Sequence, residues 1–129
     1  MLGGPQARLY VEIHGNSRKK SAGFLEIATV GFAASEAERV RCLVNEALLG
    51  AQGPGLVGKV EGADKIWYRA RSTKRFGVLS RTARALHFEF PRRYRKAPLR
   101  RHTVEFLVAA LPKIAAALDQ QAPATGSCR

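Results

Sequence analysis

RALHFEFP, residues 84 to 91, alternates without a break. Leu86, Phe88 and Phe90 fall on one side of an extended chain, and Ala85, His87 and Glu89 on the other. Successive side chains of a strand point to opposite faces, so three bulky apolar groups in phase call for a core on one side. Pro91 has no N–H to give to a ladder and closes the strand. A strand with one apolar face belongs to a sheet covered on that side, and the rest of the chain has to supply the cover and the neighbouring strands.

Upstream, ARLYVEIH places Leu9, Val11 and Ile13 opposite Arg8, Tyr10, Glu12 and His14, the period of a half-buried strand. FLEIATVGF, residues 24 to 32, is apolar and β-branched enough for a second strand, with GNSRKKSAG between them. Residues 7 to 32 are therefore expected to form an antiparallel hairpin. Its tip carries Arg18, Lys19 and Lys20, a secondary place for phosphate. Ser35 and Glu38 have the spacing of a capping box. Val40, Leu43, Val44, Ala47 and Leu48 continue as one helical stripe, which Gly50 can end. Residues 51 to 64 are rich in Gly and Pro but follow a helix and lack GxxxxGK[ST] and GxGxxG, which excludes a nucleotide-binding loop. They suit a short strand near Leu56 to Val60 and a turn at EGAD.

KIWYRAR, residues 65 to 71, alternates again and predicts a strand with Trp67 on the same side as Lys65, Arg69 and Arg71. After the basic connector PRRYRKAPLRR, Pro98 lies where a helix commonly starts. Val104, Leu107, Val108, Leu111, Ile114, Ala115 and Leu118 make its stripe, with a kink or new start expected near Leu111 because of Pro112. The expected fold class is α+β, in the order ββα-β(β)β-α. Two helices would pack on one face of an antiparallel sheet of four to five strands. Residues 1 to 120 read as a single domain and 121 to 129 as a disordered tail.

Composition narrows the function. The 129 residues are 46% apolar and 25% charged, with no run long and apolar enough for a membrane span and no secretory pattern at the N-terminus, so a cytoplasmic protein is expected. Cys42 and Cys128 belong to no CxxC or Cys/His cluster, which argues against a structural zinc. The net charge of +12 is concentrated: residues 65 to 101 hold thirteen Lys or Arg and one acid, Glu89. A one-sided excess of this kind attracts a polyanion and releases its counterions.

The expected partner is therefore nucleic acid, DNA or RNA, single-stranded or irregular. Phosphate contacts are assigned to Lys65, Arg69, Arg71, Lys74, Arg75, Arg92, Arg93, Arg95, Lys96, Arg100 and Arg101, and base stacking to Trp67 and Tyr94. No catalytic residue, cofactor or metal is assigned. Glu12 and Glu26 approach each other only across the expected hairpin, and Asp64 and Glu89 have no evident acidic partner. Two alternatives use the same residues. The basic surface and Trp67 also fit an interface with an acidic protein or a second copy of the chain. His87 and His102, beside arginines, also fit a metal-independent ribonuclease.

Overall fold

The computed structural model describes residues 8–51, 55–69 and 84–119. In chain order these form β1 (Tyr10–Asn16), β2 (Phe24–Val30), α1 (Ala34–Gly50), β3 (Val57–Val60), β4 (Ala85–Pro91) and α2 (Arg100–Asp119). The fold is α+β, a four-stranded sheet with two helices. Leu86, Phe88 and Phe90 of β4 are fully buried on one side, as alternation requires, and share a core with Leu25 and Ile27 of β2 and with residues of both helices. The rings of Phe88 and Phe90 meet the Phe106 ring of α2 edge-on, at 6.4 and 6.0 Å between centroids.

The sheet is mixed, where an antiparallel one is expected, because β1 and β2 do not form a hairpin. The strand order is β1-β4-β2-β3, with β4 lying parallel to β1 and antiparallel to β2, and β2 parallel to β3. The physical reason lies in the side chains. β4 buries three large apolar groups and gains most from neighbours on both sides, whereas β1 leaves Ile13 45% exposed and tolerates an edge.

Three local expectations shift. Helix α1 starts at Ala34, so it is Glu36, and not Glu38, whose carboxylate accepts from the Ala33 N–H, at 3.0 Å. Its stripe holds: Val40, Val44, Ala47 and Leu48 are buried and Leu43 packs against them. Helix α2 starts at Arg100 and runs on through Pro112 without a new start, burying Phe106, Ala110 and Ile114. Val104 and Val108, assigned to the stripe, are 54% and 71% exposed. Residues 65 to 69 form no strand. Trp67 donates its N–H to the Glu26 carboxylate and its carbonyl accepts from Arg69 N–H, so this backbone is spent on a side chain and a turn. Ala70 and Arg71, like the expected tail from 121 to 129, lie outside the described residues. Among those residues no helix is long and apolar enough to cross a membrane.

Edge strand β3 is tied directly to α1 by Asn45. Asn45 accepts the Gly58 N–H at 2.8 Å and returns a hydrogen bond from Nδ2 to the Gly58 carbonyl at 3.3 Å. A side chain on Gly58 would put its Cβ 2.5 Å from Val44 Cγ1 in the core. Gly58→Ala is therefore expected to destabilise the protein by about 1 to 3 kcal/mol, as overpacking does, and to lower its thermal midpoint. An unchanged melting curve would show that β3 and α1 separate freely.

Candidate functional site

Because β1 and β4 are parallel and side by side, both chains leave the sheet at the same end, where Asn16 is the partner of Pro91. The loop after β1 holds Arg18, Lys19 and Lys20. The connector after β4 holds Arg92, Arg93, Arg95 and Lys96. The two segments touch, with Arg93 donating to the Ala22 carbonyl at 3.4 Å. Within the connector, residues Arg92–Arg95 form a 3-10 turn. That turn buries Tyr94 and turns its three arginines outward, so one aromatic anchor holds a spray of guanidinium groups. Thr103 secures the next turn by donating its hydroxyl to the Tyr94 carbonyl at 2.7 Å. Tyr94, 1% exposed, belongs to the core and is not available to stack on a base, which corrects its assignment. Alternation does not apply to a 3-10 turn, where every third residue returns to the same side.

Trp67 is presented, at 63% exposure, but by a different route from the one expected. Its cation is not a neighbour on its own strand. Arg18, held by Ser21 Oγ at 2.9 Å, lies over the indole 4.1 Å from the centroid. Lys20, Lys59, Lys65 and Phe24 complete a cleft around this pair, with Lys59 Nζ 3.8 Å from the Phe24 ring centroid. Arg69, Arg92, Arg93, Arg95, Lys96, Arg100 and Arg101 are exposed as expected. Arg71, Lys74 and Arg75 lie outside the described residues. Among the described residues, the ion pairs of arginine engage Arg8, Arg41, Arg84 and Arg101, and none of the seven cations of the two joined loops.

The polar face of the sheet holds a second constellation. Glu12 and His14 are two residues apart on β1, as His87 and Glu89 are on β4, and the parallel register sets Glu12 beside His87 and His14 beside Glu89. His14 Nε2 is 2.6 Å from Glu12 Oε1, His87 Nε2 is 2.7 Å from Glu89 Oε1, and the two imidazole rings stack with centroids 4.3 Å apart. The antiparallel side of β4 then places Glu89 opposite Glu26. Glu26 and Glu89 are 3% and 8% exposed, a buried carboxylate pair where the sequence offers Glu89 no acidic partner. The signal was present as E-x-H and H-x-E on the polar sides of two alternating strands, but without the β1–β4 pairing nothing joined them. His102 is on the other side of the molecule: its Nδ1 is 2.8 Å from the Ala51 carbonyl, where α2 begins beside the end of α1. The structure does not bring His87 and His102 together.

Comparison with family models, with curated proteins and with solved structures finds no match to this chain.

Two groups register the field of this face. The hydrogen bond from His14 holds the Glu12 carboxyl below the usual carboxylate range against the cost of burial, with smaller contributions from the nearby charges of His14 and His87. Burial pushes the Tyr68 phenol above its ordinary range, and the negative charges of Glu89 and Glu26 push it further, with Arg18 opposing. A phenol whose folded pKa is raised contributes stability that is present below the unfolded value near 10 and lost as the pH rises from there to the folded value. Phenolate absorbance should therefore show a late-ionising component that is lost in Tyr68→Phe. Urea unfolding from pH 9 to 11 should show a smaller loss of stability in that variant than in the parent. Equal losses would place Tyr68 away from the carboxylates.

Proposed function

We propose that the protein binds nucleic acid, holding phosphates at the basic end of the sheet and a base or sugar in the cleft beside Trp67. The observation that carries this reading is the convergence of Arg18, Lys19 and Lys20 with Arg92, Arg93, Arg95 and Lys96 at the ends of β1 and β4, all without a carboxylate partner among the described residues. Seven neighbouring cations repel one another, and a fold keeps them together at a cost that a polyanion removes. Arg100 and Arg101, exposed in the first turn of α2, follow this connector in sequence, Arg101 with Glu105 at 3.7 Å. The exposed indole, already covered on one side by a guanidinium, suits unpaired bases more than a duplex, because stacking needs a free base face and duplex bases have theirs covered by neighbours. The role proposed is recognition of a strand, without turnover.

Titration with single-stranded and duplex DNA and RNA at two salt concentrations tests it. Affinity should fall steeply with salt. Replacing Arg92, Arg93, Arg95 and Lys96 together by Gln should flatten the slope by about 0.7 to 0.9 for each phosphate that is no longer neutralised. Trp67→Ala should weaken single-strand binding by about 1 to 3 kcal/mol and leave the salt slope unchanged, since stacking releases no counterions. No binding of any polyanion at low salt would sink the reading. A sizing shift in Trp67→Ala without a binding defect would turn it toward a protein interface.

A further inference from the structure

The constellation of Glu12, His14 and His87 plays no part in binding a strand at the basic end, and its atoms are arranged for something positive. His87 Nε2 lies 2.7 Å from Glu89 Oε1. A carboxylate only accepts, so the Nε2 proton is the one donated there. In the neutral imidazole that leaves Nδ1 as a lone pair, and the atom is buried and without a hydrogen-bond partner. It faces Glu12 Oε2 at 3.4 Å, one acceptor against another. His14 Nε2 reaches the other oxygen of the same carboxylate. One ligand atom from each of the three residues lies within 4.8 Å of the others.

We propose that Glu12, His14 and His87 bind a divalent transition-metal ion of the zinc class, with Glu89 as the carboxylate that orients His87. Bonds of about 2.0 to 2.1 Å from a tetrahedral ion set its ligands roughly 3.4 Å apart, so small side-chain rotations close the site. Two imidazoles and one carboxylate suit zinc, cobalt and nickel and disfavour magnesium and calcium, which take oxygen. The carboxylate on the far nitrogen of a ligating histidine is the usual second partner, fixing the tautomer and the ring plane. Three ligands from the protein leave a fourth position open. His14 and Glu12 are partly exposed, so that position faces solvent and is free for water or for an oxygen of an anionic ligand. The alternative occupant of the gap is a proton, making His87 an imidazolium.

The site is independent of strand binding, because metal uptake is read on the protein alone. Full-length protein without a polyhistidine tag, stripped with chelator, is titrated with Zn2+ against a chromogenic chelator, and with Co2+ by visible absorption. One equivalent per chain is expected, with cobalt bands of a low-coordinate nitrogen and oxygen site and no competition from excess Mg2+. Glu12→Gln and His14→Ala, both on partly exposed side chains, should each weaken Zn2+ at least tenfold with melting unchanged. Glu89→Gln should weaken it 10- to 100-fold without removing a ligand. No stoichiometric uptake, which leaves the gap to a proton, would overturn the proposal. So would uptake that survives both ligand variants, which puts the ion elsewhere.

Discussion

The insertion of β4 between β1 and β2 is the constraint on which the rest of this molecule depends. Its inward side supplies Leu86, Phe88 and Phe90, the largest block of the core and the surface on which Phe106 seats α2. Burying each such side chain is worth about 1.5 to 3 kcal/mol, so this one strand outweighs any polar contact in the structure. Its other side carries His87 and Glu89 into the midst of Glu12, His14 and Glu26. The gain on the core side holds Glu26 and Glu89 opposite each other, two carboxyl groups that would separate if they were free to do so.

The same strand direction explains the charge. Parallel neighbours exit a sheet together, so the loop with Arg18 and the connector with Arg92 are brought to one end by topology and not by attraction. Among the described residues no carboxylate forms an ion pair with these cations. What keeps the connector in place is Tyr94 in the core, with Thr103 on its carbonyl. Acidic groups collect on the sheet face and basic ones at its rim, and Trp67 spans the two, with its N–H on Glu26 and its ring under Arg18.

Much of the fold was legible locally. The inward side of residues 84 to 91, the stripe of α1 and the short strand before EGAD reach the structure as read, because each is a statement about neighbours in sequence, whereas Ala85 and Glu89, read as outward, are buried too. What failed was long-range or ambiguous. A hairpin between the first two strands is the cheapest pairing in loop entropy, and only the buried area gained by a distant strand displaces it. In α2, apolar residues occur on more than one side, so the period admits a stripe through Val104 and Val108 as readily as the observed one through Phe106 and Ala110. The exposed cations were legible from composition, whereas the buried Tyr94 among them was not, since a single turn of 3-10 helix reverses which side chain faces in. The histidine and carboxylate group was written as two short patterns whose meeting depends on a register no local rule gives.

Tyr10 pairs with Ala85 and Val30 with the same residue from the other side. During synthesis, then, the first two strands emerge with no partner for their facing edges and wait while α1, β3 and the segment after it are made. A nascent chain cut anywhere before residue 84 presents two open edges and the uncovered side of a half-built core, a state prone to pair with other chains. With its decisive contacts so far apart in sequence, this domain should assemble late and slowly for its size, and its yield in a cell will depend on how well that interval is shielded.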